Sequence, residues 1–174
     1  MKETLNIAVV GLGQRGTLLL KDTILPQPDV NIVALCDVYS DRCEENAKVV
    51  VESGRPAPQL FSDYHDALAL DAVDTVIVTA AWESHIEIAC AAMYAGKAVG
   101  FEVGGAYSIE DCWRLIRAHE KTGRPCSMLE NTCYGRDELL VLNMVRQGLF
   151  GEIVHCAGGY RHDLRDEISR GREN

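Results

Sequence analysis

No stretch of this chain is apolar for long enough to cross a membrane. The amino terminus, "MKETLNIAVVGLG", enters a strand at once and leaves no room for a signal peptide. No C-x-x-C pair occurs, and the seven cysteines (36, 43, 90, 112, 126, 133 and 156) are scattered and odd in number. Zinc-site and thioredoxin-type readings fail on that pattern. Most of these cysteines lie in apolar segments, where the residue acts as a small buried hydrophobe, and we read a reduced, cytoplasmic protein. The five histidines show no ligand spacing, so no metal site is expected. There is no internal repeat and no low-complexity segment. A clustered basic face is also missing: the net charge of −9 argues against a nucleic-acid partner and is read as serving solubility.

What is present is a core-forming composition in regular alternation. Of 174 residues, 47% are hydrophobic, enough for one domain, or one domain and the start of another. "LNIAVVGLG" is a β-rich run closed by glycines. "RGTLLLKDTI" reads as a short helix broken by the prolines of "ILPQPD", and "VNIVALCDV" as the next strand. "SDRCEENAKVVVESG" is a helix capped by Ser40 or Asp41 and ended at Gly54. A loop, a short edge strand and a short helix follow in "RPAPQLFSDYHDALAL", then the apolar strand "VDTVIVTA". Ser84 and Glu87 have capping-box spacing ahead of a helix closing at Gly96, and Ser108 and Asp111 repeat it for a helix whose apolar face is Cys112, Leu115 and Ile116. "AVGFEV" and "PCSMLEN" are strands, and "RDELLVLNMVRQG" is a helix.

Alternating apolar strands and helices predict an α/β protein: a Rossmann-type doubly wound parallel sheet with right-handed crossovers. The texture changes at Gly151, where "GEIVHCAGGY" predicts a new, more alternating strand. The expected organisation is a dinucleotide-binding domain over 1–150 and, over 151–174, only the start of a C-terminal α/β sheet domain. The polar stub "RDEISRGREN" cannot make a core, so either the chain is a fragment or another chain completes it. An exposed last strand would also promote dimerisation or aggregation, which leaves a homo-oligomer open.

"GLGQRG", Gly11 to Gly16, follows a predicted strand and opens a helix, and Asp37 ends the second strand 21 positions after Gly16. This is the context that a dinucleotide fingerprint requires. Gly11 permits the tight turn, Gly13 lets backbone approach a pyrophosphate, and Gly16 allows close helix–strand packing. The helix amino terminus offers unpaired N–H groups to phosphate. Asp37 would accept hydrogen bonds from the adenosine ribose and repel a 2′-phosphate. No arginine directly follows it, so NAD is favoured over NADP. The alternative is an ordinary glycine turn with Asp37 capping the strand end.

Ligands of such sheets bind at the carboxyl ends of the strands. "TAAWESH", "EVGG" and "ENTCYG" lie at three of those ends. Glu102, a carboxylate ending an apolar strand with no cation beside it, is predicted to point into the cofactor cleft. A cap for the following turn is its other role. Trp82 and His85 could pack beside adenosine or nicotinamide, and a purely structural place is equally open to them.

Together "IAVVGLGQRG", "ALCDVYSDR", "VIVTAAWESH", "AMYAGKAVGFEV" and "GLFGEI" resemble the Gfo/Idh/MocA oxidoreductase superfamily. Its members are sugar and polyol dehydrogenases with a Rossmann domain and a C-terminal α/β sheet domain. Most carry Glu-Lys-Pro after the fifth strand, with a catalytic lysine; this chain has Glu102-Val103-Gly104. A narrower resemblance, from "EVGGAYSIEDCW" through "MLENTCYGR" to "YRHDLR", is to the NAD-dependent glycoside hydrolases of family 109, whose best known activity is alpha-N-acetylgalactosaminidase and which carry Glu-Val here. By matching position, the resemblance implies that Gln14 and Arg15 contact NAD in the glycine loop and Asp37 its ribose. It implies that Trp82 to His85 (with Ser84), Glu102, Val103 and Asn131 line the NAD site, and that Tyr160 touches the sugar. Thr79 to Ala81 departs from relatives that carry proline after the threonine. The resemblance implies a small-molecule sugar or glycoside substrate and a redox route: C3 is transiently oxidised by bound NAD, the C2 proton becomes removable, the C1 leaving group is eliminated and water adds back. The expected catalytic groups lie beyond residue 174, so the chain is expected to be weakly active or inactive alone. A plain sugar or polyol dehydrogenase and a non-catalytic NAD-binding module are the alternatives.

Overall fold

The computed structural model describes residues 4–159, 161–163 and 165. Contacts divide the chain into two compact units, one ending at Leu129 and the next beginning at Glu130. That division falls earlier than the change of texture at Gly151.

The first unit is a six-stranded, all-parallel sheet of β1 (Leu5–Val10), β2 (Val30–Cys36), β3 (Gln59–Phe61), β4 (Thr75–Val78), β5 (Ala98–Glu102) and β6 (Cys126–Leu129), in the order β3-β2-β1-β4-β5-β6. This is the doubly wound dinucleotide-binding order, which reverses between β1 and β4. The helices are α1 (Gln14–Leu18), α2 (Ser40–Glu52), α3 (Tyr64–Leu68), α4 (Trp82–Tyr94) and α5 (Ile109–Thr122).

Side chains of β1 alternate between two cores. Ile7 and Val9 join Leu12, Leu20, Ile24, Leu35, Cys43 and Val50 on one face. Ala8 and Val10 join Val76, Val78, Ile86, Ala89, Met93, Val99 and Phe101 on the other. Burial on both faces is why the strand reads as an unbroken apolar run. Each large side chain so buried contributes about 1.5–3 kcal/mol.

β2 breaks the alternation. Its register with β1 slips by one residue, from Ile7 opposite Ile32 to Ala8 opposite Ala34, leaving Val33 extra. Val30 and Ile32 face the core that holds Val9, whereas Val33 and Ala34 both go to the opposite core. Leu35 then returns to the Val9 side. The bulge therefore aims the next odd position, Asp37, at the glycine turn. Bulges beside functional sites commonly re-aim a side chain in this way.

Several local expectations change. α1 runs straight into a wider π-helical turn, Leu19–Ile24, in which Leu25 N–H donates to the Leu20 carbonyl at 2.9 Å. This turn sends both Leu20 and Ile24 into the core. α2 is preceded by Tyr39 rather than capped by the side chain of Ser40 or Asp41. α4 begins at Trp82, so Ser84 lies inside the first turn and does not cap it. The Ser108 cap does form: its Oγ accepts the Asp111 N–H at 3.1 Å. The inner face of α5 is Leu115 and Ala118, while Cys112 is exposed and Ile116 is 41% exposed.

In the second unit, α6 (Arg136–Arg146) buries none of its side chains. The strand expected from "GEIVHCAGGY" is not formed: residues 151–159 pair with no strand. Alternation cannot make a strand without a neighbour to complete the hydrogen-bond ladder.

Candidate cofactor site

The site lies where the strand order reverses, at the carboxyl ends of β1 and β4. Gly11 turns the chain off β1 at φ +95°, and a Cβ there would lie 2.3 Å from the Ala80 amide nitrogen. A Cβ on Gly16 would lie 2.1 Å from the Gly11 carbonyl oxygen. Both positions admit glycine only. Gly13 is extended at ψ −171° immediately before α1.

Three hydrogen bonds hold the turn open in one shape. Gly11 N–H donates to the Cys36 carbonyl at 2.8 Å. The Thr79 hydroxyl donates to the Gly11 carbonyl at 2.5 Å. Leu12 N–H donates to Asp37 Oδ2 at 2.6 Å. Asp37 Oδ1 also accepts the Tyr39 N–H at 2.9 Å. A carboxylate accepts about four hydrogen bonds, so capacity remains for two ribose hydroxyls. Asp37 thus has two tasks: it fixes the glycine turn and presents oxygen at the end of β2.

The electrostatics favour an anion at the start of α1. The first turns of α2, α3, α4, α5 and α6 each carry an acidic residue, and that of α1 carries none. An uncompensated positive helix end with free N–H groups is suited to a diphosphate. Gln14 and Arg15 are exposed in this turn.

Glu102 does have a cation, supplied from 87 residues away. Arg15 donates through Nε at 2.9 Å and through a terminal nitrogen at 2.7 Å, both to Oε1. Oε2 accepts the Val103 N–H at 3.1 Å. The glycine loop is thereby tied across the cleft to the end of β5. After Val103, Gly104 and Gly105 adopt φ of +96° and +89°. A Cβ on Gly104 would meet the Trp82 ring at 2.8 Å, and one on Gly105 the His85 Cβ at 2.4 Å. The two glycines let the start of α4 close against the β5 turn. Trp82 stays 58% exposed, a flat apolar wall beside the cleft. His85 is buried; its Nε2 lies 2.8 Å from the Ala80 carbonyl, so Nε2 carries the proton, and Nδ1 has no hydrogen-bond partner among the described residues. Ser84 is half-buried in the same turn.

Gly11, Gly16, Asp37, Arg15, Glu102, Trp82 and His85 therefore converge. Asn131 belongs to the second unit, where its N–H donates to Glu130 Oε1 at 3.0 Å. Tyr160 lies outside the described residues. Sequence reasoning missed Thr79 as a clamp on the glycine turn and Arg42, whose guanidinium lies 3.8 Å from Asp37 Oδ2. Thr79 becomes legible only once β4 is known to lie beside β1.

Residues 5–130 match the family model described as the oxidoreductase family, NAD-binding Rossmann fold, of Gfo/Idh/MocA type, and residues 134–174 match the C-terminal domain of glycosyl hydrolase 109. A glycosyl hydrolase family 109 protein from Streptomyces filamentosus is 41% identical over 95% of this chain and 34% of its own length. One from Stenotrophomonas maltophilia is 42% identical over 91% of this chain and 36% of its own. The chain thus spans about a third of the length of the curated relatives it matches. The scyllo-inositol dehydrogenase of Lactobacillus casei, solved with NAD(H) and scyllo-inositol, has the same fold, with TM-score 0.77, 20% identity and coverage of 86% of this chain and 43% of that one. So does the WlbA dehydrogenase of Bordetella pertussis in complex with NADH and UDP-GlcNAcA, at TM-score 0.75, 21% identity and coverage of 86% and 44%. With the fold, the fingerprint and the family model in agreement, the chain belongs to the Gfo/Idh/MocA oxidoreductase family, and residues 5–130 are its NAD-binding Rossmann domain.

Proposed function

We propose that this chain is the cofactor-binding part of a glycosidase acting on N-acetylgalactosaminide-like substrates through transient oxidation at C3. The observation that supports it most is the continuous match, across both units, to proteins named as glycosyl hydrolase family 109. NAD, when bound, supplies a reversible hydride acceptor, so a glycosidase of this kind consumes no cofactor.

The chain's own residues take the following parts. Asp37 holds the ribose hydroxyls, and the amides of the Gly11–Gly16 turn with Gln14 and Arg15 hold the diphosphate. Glu102 keeps Arg15 over the cleft. Trp82, Ser84 and His85 wall the nicotinamide end, with Val103 where most members of the wider superfamily carry a lysine. A valine carries no transferable proton, so acid–base work falls to other groups. The family resemblance assigns Asn131 to cofactor binding and Tyr160 to the sugar. The seven free thiols support a reduced, cytoplasmic setting. On this reading the 174-residue chain binds NAD and turns over glycosides poorly by itself.

The test combines native mass spectrometry for co-purified NAD with two turnover assays. Net NADH accumulation from a free sugar would replace this reading with that of a sugar dehydrogenase, which the likeness to scyllo-inositol dehydrogenase favours. Robust p-nitrophenol release from its N-acetylgalactosaminide by this chain alone would overturn the claim of weak activity.

A further inference from the structure

We propose that the outer face of α5 docks a second copy of this chain, as an antiparallel, two-fold helix pair. Such pairing is independent of what the cleft binds. α5 packs against α4 and turns Leu115 and Ala118 to the core. On the opposite side Ile109, Trp113 and Ile116 follow one another at i, i+4 and i+7, the spacing of a single helical stripe. They are 79%, 50% and 41% exposed. Isolated surface hydrophobes are ordinary, but three large ones in line along one helix form a patch of the kind that marks an association site.

The charges beside the stripe identify the occupant. Glu110 and Arg117 lie on one flank, where they pair with each other within the chain. The other flank carries Cys112 and His119. A two-fold axis through Trp113 sets the same flank of each helix against its copy. Ile109 and Ile116 straddle Trp113 almost evenly, and so do Glu110 and Arg117. The axis therefore lays Ile109 beside Ile116 of the second copy and faces Glu110 with Arg117 of the second copy. Two ion pairs within chains become two between chains. A parallel pairing would instead bring Arg117 against the Cys112–His119 flank, which offers it no carboxylate. The apolar seam and the charge pattern share one axis, a coincidence that a covering segment of unrelated sequence would not require. α5 has 14 residues, about 21 Å of helix, so one such pair buries less than the roughly 800 Å² per partner of a standard interface. The expected dimer is reversible and of micromolar affinity.

The experiment is sedimentation velocity on the 174-residue chain, W113A, E110R, R117E, an equimolar mixture of E110R with R117E, and E110R/R117E, each from about 1 μM to about 300 μM. The original chain is expected to show a reversible monomer–dimer equilibrium. W113A weakens it at least about tenfold. E110R and R117E each weaken it comparably, because like charges now meet across the axis. Their mixture recovers a mixed dimer near the original affinity, since each chain supplies the charge that the other lacks, and E110R/R117E dimerises by itself. Circular dichroism checks folding; loss of folding in a single charge variant shifts the test to W113A and E110R/R117E. A chain that stays monomeric at the highest concentration, a dimer that W113A leaves intact, or folded single charge variants whose mixture stays monomeric overturns the inference.

Discussion

Replacing Gly16 by alanine would put a methyl carbon 2.1 Å from the Gly11 carbonyl oxygen and 2.6 Å from Thr79 Oγ1. Ordinary C···O contacts begin near about 3.3 Å, so more than an ångström of room must be found. Neither neighbour yields freely. Gly11 is held through its N–H by Cys36, and the Thr79 hydroxyl is itself donated to the Gly11 carbonyl. Either α1 retreats from the sheet, at the usual overpacking cost of about 1–3 kcal/mol, or Thr79 abandons a buried bond, at about 1–3 kcal/mol. Alanine's better helix propensity returns about 1 kcal/mol. The net expectation is a loss of up to about 2 kcal/mol, or a fall in Tm of up to roughly 4–8 °C for a chain of this size. NAD affinity should fall at least about tenfold as the α1 amides draw back from the diphosphate. Gly54 is the control: it also needs a positive φ, +85°, but a Cβ there meets nothing within 4 Å. Its alanine variant should lose about 1 kcal/mol and keep its NAD affinity. Thermal melts and titration calorimetry read both. A Gly16→Ala chain that melts with the original and binds NAD equally well would refute the packing argument.

Breaking the cleft tie should separate stability from binding. Arg15→Ala and Glu102→Gln are expected to change unfolding free energy by under about 1 kcal/mol, because the arginine is largely exposed, yet to weaken NAD several-fold in calorimetry. Brief alkylation at neutral pH followed by mass spectrometry should label Cys112, Cys133 and Cys156 and spare Cys36, Cys43, Cys90 and Cys126 until the protein is unfolded. Burial pushes the Cys36 thiol up to about 12, helped by the neighbouring Cys43 and Asp37, and burial pushes Cys126 up to about 11. Since the folded state holds the Cys36 proton more tightly than the unfolded chain, its contribution is whole below about pH 9 and drains away as pH rises toward about 12. Urea unfolding across that window should therefore show a shallower alkaline loss in Cys36→Ala than in the original chain.

The strand–helix alternation and the glycine turn were legible because each is written locally: apolar runs of strand length, glycines at fixed offsets, Asp37 at the end of a run. The Ser108 cap was legible for the same reason. The start of α4 was not, because Trp82 is helical by position rather than by any capping side chain, and the Ser84–Glu87 spacing pointed three residues too late. Cys112 and Ile116 matched a helical stripe, but α5 packs against α4 and turns only its Leu115–Ala118 side to the core. The Arg15–Glu102 tie and the approach of Arg42 to Asp37 depend on chain reversals that no short window contains. The strand expected at "GEIVHCAGGY" needed a pairing partner that alternation could not supply.

The extra residue at Val33 also governs how β2 tolerates change. Before it, even-numbered positions belong beside α1 and α2; beyond it, odd-numbered ones do. A hydrophobicity scan along this strand would thus invert its phase midway. Excising Val33 would restore plain alternation and leave Leu35 and the acidic tip on the side they already hold, whereas a one-residue slip of the strand without the bulge would exchange its two faces.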